Sequence, residues 1–499
     1  LLAQALSDSA FIRQNYDKAE YQIEMRDGVK LHTAVYSPKD KSKKYPFLMQ
    51  RTPYDVAPYG EDEYARRLGP NAYLMRKGYI FVYQDVRGRY MSEGTYDNMR
   101  PNVPGNKKYR RKSKNEIDES SDTYDTIEWL LKNIPNNNGK VGQWGISYPG
   151  FYTAAAFPDA HPALVASSPQ APIADFFFDD FHHHGAFLQS YLLAYPIFGY
   201  QKDSLTTKDW YREVWAEIMK DRNVRDAFDF HMSIGTLKGV TDSLYPNDEF
   251  WRQTVEHPNY DEFWQKRSIL PHLKGIDHAV LTVGGWYDAE DLYGPLNIYK
   301  TIEAENVAAQ NRIIMGPWTH GDWARERGHQ TVNHIWFGDS LSTWYQRNVE
   351  TPFFEYYLKD VGEMNLPEAY MFDTGSREWK SFEQWPPSDI PALSLTFHEN
   401  GRLGINESAD ENLVFTYKSD PDFPVPYRSE SERAGITPRR FITDDQRQAS
   451  RRPDVLTFQS EVLKKDVLVA GEILASLTVA LSSDQADQLD ADFVVKLID

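Results

Sequence analysis

The chain contains no cysteine. Disulfide frameworks, thiol catalysis and cysteine-based zinc sites are thereby excluded, and the absence suits a reducing or an oxidising compartment equally. There is no run of about 18 or more apolar residues, so no segment reads as a membrane-spanning helix. Positive charge is in short supply. Against 55 Lys and Arg stand 73 Asp and Glu, a net charge of −18. A surface that acidic repels phosphate backbones and anionic lipid, which removes nucleic acid and membranes from the expected partners. No internal repeat is evident. The opening Leu1-Leu2-Ala3-Gln4-Ala5 does not read as a signal peptide, although a leader removed before it is compatible with the sequence.

What is present is length and aromatic mass. A chain of 499 residues exceeds what one core organises, so two or three domains are expected. Aromatic residues make up 14% of it, enough for a core and an aromatic-lined pocket, and this argues against disorder.

Glu20 to Tyr36 alternates around Asp27-Gly28 and predicts a β-hairpin. Phe47-Leu48-Met49-Gln50 and Tyr79-Ile80-Phe81-Val82-Tyr83 read as buried parallel strands with functional loops after them. Lys107-Lys108-Tyr109-Arg110-Arg111-Lys112 reads as a solvated loop. Tyr124, Ile127, Leu130, Leu131 and Ile134 share a helical face, with Ser120, Ser121 or Asp122 as cap and Pro135 as stop. Lys140 to Gly145 and Leu164-Val165-Ala166 follow as strands, which is the rhythm of a doubly wound parallel sheet. Residues 172–268 break it with aromatic, helical pattern, Trp210, Val214, Trp215 and Ile218 sharing a face, and read as an inserted cap. The sheet resumes at Ala279–Val283 and Arg312–Met315, and a helix near 339–359 closes it. Beyond Leu366, short alternating runs such as Ser394–Phe397 and Ala475–Val479 predict a β-sandwich. Phe493–Ile498 stops in mid-strand, so the sandwich reads as incomplete.

The strongest chemical signal is Gly145-Ile146-Ser147-Tyr148-Pro149-Gly150. A serine hydroxyl needs exposure, a base and an anion hole. Small residues two before and three after it permit a tight strand-to-helix turn that lifts the hydroxyl above the sheet. The pattern departs by one residue from G-x-S-x-G. Asp288 follows the strand 279–283 and His320 the strand 312–315, so Ser, Asp and His come in α/β-hydrolase order at C-terminal strand ends. Ser147 is then the nucleophile, His320 its base and Asp288 the acid that orients the imidazole. The Tyr148 backbone N–H is one oxyanion donor.

With these motifs the chain resembles a family of α/β-hydrolases. It groups cocaine esterase, α-amino-acid ester hydrolases, glutaryl-7-aminocephalosporanic acid acylases and X-Pro dipeptidyl peptidases. The resemblance rests on Arg51-Thr52-Pro53-Tyr54, the stretch Asp85–Gly94, the Ser147 motif, Gly285-Trp286-Tyr287-Asp288 and Gly316-Pro317-Trp318-Thr319-His320. It spans the whole chain and implies a helical cap and a C-terminal jelly roll. It implies the Tyr54 hydroxyl as second oxyanion donor, and a homo-oligomer that is periplasmic or secreted rather than cytoplasmic. The expected division is 1–171 and 269–362 for the hydrolase core, 172–268 for the cap and 363–499 for the jelly roll.

Asp288-Ala289-Glu290-Asp291 packs three acids into four residues, and Asp179-Asp180 opens the cap. In α-amino-acid ester hydrolases the corresponding acids hold the substrate ammonium. The resemblance assigns that role here to Asp180, Glu290 and Asp291. Clustered carboxylates raise one another's pKa, and a bound cation relieves the repulsion. A glutaryl carboxylate fits such a site badly. His182-His183-His184 reads as no metal site, because adjacent helical residues do not share a face. Asp484, Asp487, Asp490 and Asp492 read as a solvated turn, and Asn406-Glu407-Ser408 is a glycosylation sequon by pattern. No metal and no cofactor is called for.

The expected function is a serine hydrolase of α-amino-acid esters and related amides, including α-amino β-lactam side chains, taking a small-molecule ester or amide or a short peptide through an acyl-enzyme. A dipeptidyl-type aminopeptidase or a general acyl esterase or acylase is the enzymatic alternative. A jelly-roll binding protein with a vestigial hydrolase is the non-enzymatic one.

Overall fold

The computed structural model describes residues 7–104, 113–114, 116–220, 226–306, 309–325, 329–410, 413–426, 428, 441–482 and 490–498. The basic run at 107–112, and Asp484 and Asp487, lie outside them.

Helix α1 (Asp8–Asn15) leads into the hairpin β1 (Tyr16–Glu24) and β2 (Lys30–Pro38). Then come β3 (Tyr45–Thr52), α2 (Ala72–Met75), β4 (Ile80–Asp85), α3 (Glu119–Asn133), β5 (Asn137–Ile146), α4 (Tyr148–Ala154) and β6 (Leu164–Gln170). Helix α3 is capped by Asp118 in a capping box with Ser121, upstream of all three residues expected to cap it. Ser120 and Asp122 are committed elsewhere: Ser120 bonds the Pro158 carbonyl, and Asp122 accepts two hydrogen bonds from Arg87 at 3.0 and 2.7 Å.

After β6 the chain leaves the sheet. A two-residue ladder joins β7 (His182–His183) to β8 (Ala186–Phe187). Among the described residues six α-helices follow: α5 (Tyr195–Gly199), α6 (Tyr211–Met219), α7 (Ala227–Ile234), α8 (Leu237–Ser243), α9 (Glu249–Glu256) and α10 (Glu262–Arg267). They pack on an aromatic core in which Phe181 meets Phe250 at 4.9 Å and Tyr195 at 4.8 Å. The His run therefore lies on a strand pair and not on a helix. The His182 ring stacks on Phe177 at 4.7 Å, and burial pulls its pKa down to about 4.

The sheet resumes with β9 (Ala279–Gly285), α11 (Tyr293–Glu305) and β10 (Asn311–Gly316). A hairpin of β11 (His329–Val332) and β12 (Ile335–Asp339) precedes α12 (Leu341–Tyr345) and α13 (Thr351–Lys359). The single helix expected near 339–359 is interrupted by a π-helical turn at Gln346–Glu350. That wider turn goes with a buried Glu350 bonded to Asn71 and Gln170 at 2.6 Å each. Strands β13 (Ala369–Asp373) and β14 (Glu378–Phe382) complete a ten-stranded sheet in the order β1-β2-β4-β3-β5-β6-β9-β10-β13-β14. From β4 to β13 all neighbours are parallel.

Both faces of the sheet are covered. Along β3, Phe47 and Met49 pack with Ile127 and Leu130 of α3, while Leu48 between them packs with Phe354 and Leu358 of α13. The register brings strand ends level: Thr52 pairs with Asp85, Ile146 with Gln170, and Gly285 with Gly316. Every loop that follows one of these residues therefore emerges on the same edge.

Beyond β14 the described residues carry one further ladder, β15 (Leu395–His398) with β16 (Arg402–Ile405), and the short helix α14 (Arg447–Ser450). The runs 475–479 and 493–498, expected as strands, form none. A strand exists only against a hydrogen-bonding neighbour, and no described segment supplies one, so Leu474 stands 86% exposed.

Candidate active site

Ser147 occupies the turn between β5 and α4 with φ 67° and ψ −130°, a conformation that residues with a Cβ rarely adopt. The surrounding backbone holds it there. Its N–H donates to the Gln170 carbonyl at 2.9 Å, and its carbonyl accepts from the Phe151 N–H at 3.0 Å. A methyl group on Gly145 would stand 2.2 Å from the Pro149 oxygen, and one on Gly150 2.6 Å from the Gln170 oxygen. The one-residue departure of the motif is accommodated this way: Pro149 enters the first turn of α4, where a missing N–H costs nothing, and the close approach falls to Gly150. The Tyr148 N–H, first in the helix, has no intrahelical acceptor. Its phenol is locked by Asn98 at 3.2 Å and the Met99 N–H at 2.8 Å.

Asp288 and His320 come from the loops after β9 and β10. The loops are tied by the Trp286 N–H to the Gly316 carbonyl at 2.9 Å and the Tyr287 N–H to the Trp318 carbonyl at 3.0 Å. Asp288 Oδ1 accepts from the N–H groups of Glu290 and Asp291 at 2.9 and 3.1 Å, which leaves Oδ2 to accept from His320 Nδ1 at 2.8 Å. Next to the imidazole, Gly321 faces the turn of the serine: a methyl on it would lie 3.6 Å from Ile146 Cγ2. Trp323, in the same loop, donates to Gln170 Oε1 at 2.7 Å. The Ser147 hydroxyl and the His–Asp pair thus share one edge. Among the described residues, however, no hydrogen bond joins Ser147 to His320; His320 Nε2 lies 3.4 Å from Glu290 Oε2.

Around them is an unusual concentration of buried acid. Asp180, at φ 36° at the start of the cap, is buried, and its Oδ2 has no partner. Among the described residues no N–H or hydroxyl donates to either oxygen of Asp291, which leaves a shared proton as its link to Asp180, and the buried Tyr191 hydroxyl faces Glu290. Burial first, and then Glu290, push the Asp180 carboxyl up to about 8, against the pull of His320 and of a proton shared with Asp291. Asp291 is raised by burial and by Asp180, and Glu290 is raised by burial, with His320 opposing. Burial alone would lower His320, but Asp288, Glu290 and Asp180 outweigh it and carry the imidazole up to about 10. The half-buried Tyr54 adjoins the group: burial and then Asp180 raise its phenol. Asp179 plays a different part from its neighbour. Its carboxylate accepts backbone N–H groups of Ala174 at 2.9 Å and Gly294 at 3.0 Å, pinning the cap to α11.

Residues 27–322 match the family model described as X-Pro dipeptidyl-peptidase (S15 family), and residues 359–499 match the X-Pro dipeptidyl-peptidase C-terminal non-catalytic domain. The chain belongs to the S15 family. It is a serine hydrolase with an α/β-hydrolase fold, and this family acts on small-molecule or peptide substrates. Among S15 relatives, cocaine esterase of Rhodococcus sp. (strain MB1 Bresler) is 28% identical over 97% of this chain and 80% of its own. The solved structure of an aminopeptidase from the marine sediment archaeon Thaumarchaeota archaeon is 32% identical, with TM-score 0.77 over 90% of this chain and 73% of the other. That of an α-amino acid ester hydrolase is 29% identical, with TM-score 0.76 over 92% and 74%.

Several residues that hold this candidate site together carry no role in the sequence analysis. Gln170 links the serine turn to Trp323 and is itself held by Glu350, whose carboxyl burial pushes up to about 7. Arg89, fully buried, donates to the Pro53 carbonyl, next to Tyr54, at 2.7 Å and to the Ile197 carbonyl of the cap at 2.8 Å. Arg89 stands within a quoted motif, which is a signal that could have found it. Glu350 and Tyr191 stand in no motif. No described helix is long and apolar enough to cross a membrane.

Proposed function

We propose that this enzyme hydrolyses esters and amides whose acyl part carries a free α-ammonium group, through an acyl-enzyme on Ser147. The observation that carries the reading is the buried pair Asp180 and Asp291 beside Glu290, with oxygens to which no described N–H or hydroxyl donates, next to the His320–Asp288 pair. Buried carboxylates without donors are costly, so these acids retain protons until a substrate cation takes the protons' place. The likeness to the α-amino acid ester hydrolase and the archaeal aminopeptidase supports it.

The Ser147 turn and the His320–Asp288 pair support the following steps. Ser147 Oγ attacks the acyl carbon while His320 Nε2 takes its proton, and Asp288 fixes the imidazole through Nδ1. The tetrahedral oxyanion lies between the Tyr148 N–H and the Tyr54 hydroxyl. As the carbon–leaving-group bond breaks, His320 returns the proton to the departing alcohol or amine. Water then repeats the sequence on the acyl-enzyme and frees Ser147.

The test compares phenylglycine methyl ester with methyl phenylacetate, which lacks the amine. A charge-assisted contact gives the wild type a preference of about 10- to 100-fold in kcat/KM for the amino ester, and Asp180→Asn loses most of it. Equal rates on the two esters in the wild type would overturn the reading. The family match to X-Pro dipeptidyl-peptidases favours one second reading, in which the same acids hold a peptide N-terminus one residue further out. An X-Pro-anilide turned over faster than the amino ester would select it.

A further inference from the structure

His320 Nε2, the atom that must receive the serine proton, is engaged by the wrong partner. It sits 3.4 Å from Glu290 Oε2, while its other nitrogen is held by Asp288 Oδ2 at 2.8 Å with Asp291 Oδ2 3.9 Å away. Glu290 is fixed at its backbone, its N–H donating to Asp288 Oδ1 at 2.9 Å, so the contact with Nε2 is made by a side chain anchored to the orienting acid itself. We propose that Glu290 keeps Nε2 of His320 from Ser147 in the resting enzyme, and that the substrate's ammonium, by drawing Glu290 away, releases the imidazole to act as base. This rests on the ammonium reading and extends it: the α-amino group becomes a switch for the catalytic step as well as a handle for binding.

The electrostatics point the same way. The imidazole is faced by Asp288, Glu290 and Asp291 from the loop after β9 and by Asp180 from the cap. The Tyr54 and Tyr191 hydroxyls and His183 adjoin those carboxylates, and Arg325 approaches Glu290 from the loop after β10. Asp288 at one ring nitrogen and Glu290 at the other favour the imidazolium, which cannot accept a further proton. A cation among Asp180, Glu290 and Asp291 cancels part of that field and lowers the imidazole's affinity for its proton. Selectivity then appears in kcat, because the interaction matures only when the base is needed.

The experiment measures inactivation of the full chain by two diphenyl phosphonates, one bearing an α-amino group and the other its deaminated counterpart, across pH. In the wild type the acid limb of kinact, which reports His320 deprotonation, falls at lower pH with the amino phosphonate. Below the limb, each unit of pH by which it moves changes the rate about tenfold. In Glu290→Gln the deaminated phosphonate reacts faster than in the wild type near neutral pH, with its limb moved down, and the two phosphonates no longer differ. Coincident limbs for the two phosphonates in the wild type would overturn the proposal, and that arm needs no variant to fold. A slower or unchanged reaction of folded Glu290→Gln with the deaminated phosphonate would also overturn it. The ammonium reading fails separately: the two phosphonates would then share one KI.

Discussion

Ser147 lies in a backbone conformation that its neighbours impose, and their smallness is what lets them do so. The carbonyls of Pro149 and Gln170 approach Gly145 and Gly150 to within 2.2 and 2.6 Å of where a Cβ would stand. Neither can retreat, because Pro149 is buried in α4 and the Gln170 carbonyl receives the Ser147 N–H. Gly145→Ala is therefore expected to cost about 1–3 kcal/mol of stability through overpacking, and more in activity, because the serine hydroxyl is displaced. Thermal unfolding and the rate of fluorophosphonate labelling measure the two. A variant that labels at the wild-type rate would show that the turn does not depend on that contact. At this scale the sequence is informative: a Gly, a Ser and a Gly at these spacings after a strand have few other uses. Residue chemistry does not separate Asp180 from Asp179, and only the family resemblance singles out Asp180. They are chemically identical neighbours, yet one is spent on backbone N–H groups and the other keeps an oxygen free.

Among elements, the site is assembled where three loops and the cap meet, and Arg89 joins two of them. Its guanidinium is enclosed by Trp210 at 4.5 Å and Tyr96 at 4.8 Å, and it reaches the Pro53 carbonyl and the cap's Ile197 carbonyl together. A fork of this kind is not replaced by an ammonium. Removing one oxyanion donor costs about 3–4 kcal/mol, so the oxyanion role proposed for Tyr54 predicts that Tyr54→Phe lowers kcat by about 10²- to 10³-fold. If Arg89 acts by placing Tyr54, Arg89→Lys lowers kcat in the wild type but adds little to Tyr54→Phe. Additive losses in that cycle would leave Arg89 a purely structural tie. The interrupted helix at 346–350 is the other element-scale feature. The apolar pattern there predicts one helix, and the π-helical turn that presents Glu350 to Gln170 has no periodic signature.

For the whole molecule, the buried acids set a dependence of stability on pH. Burial raises Asp85 and Asp180 to about 8, and Asp248 and Glu350 to about 7, above their unfolded values. Each contributes stability that is complete below its unfolded pKa and is lost as pH rises through the folded one. Burial lowers His182 and His278 to about 4, so their contribution is present above the unfolded value and lost as pH falls toward 4. The four raised acids outnumber the two lowered histidines, so the unfolding midpoint is expected to fall from about pH 5 to about pH 8, and Glu350→Gln should make that fall shallower. A midpoint still rising at about pH 8, measured by calorimetry at fixed ionic strength, would contradict this.

The sequence by itself determines the parallel sheet, the inserted helical segment and the candidacy of Ser147, Asp288 and His320. All of these rest on local pattern: apolar runs of strand length, helical periodicity, and chemically distinctive residues just past strand ends. Tertiary structure alone decides the rest, because it depends on residues brought together from distant segments. Asp180 meets Asp291 only when the cap closes over the sheet edge. Glu290 reaches Nε2 of His320 only because the loops after β9 and β10 are bonded to each other. The strands expected at 475–479 and 493–498 depend on a neighbouring edge to hydrogen-bond with, which no alternation of side chains can supply.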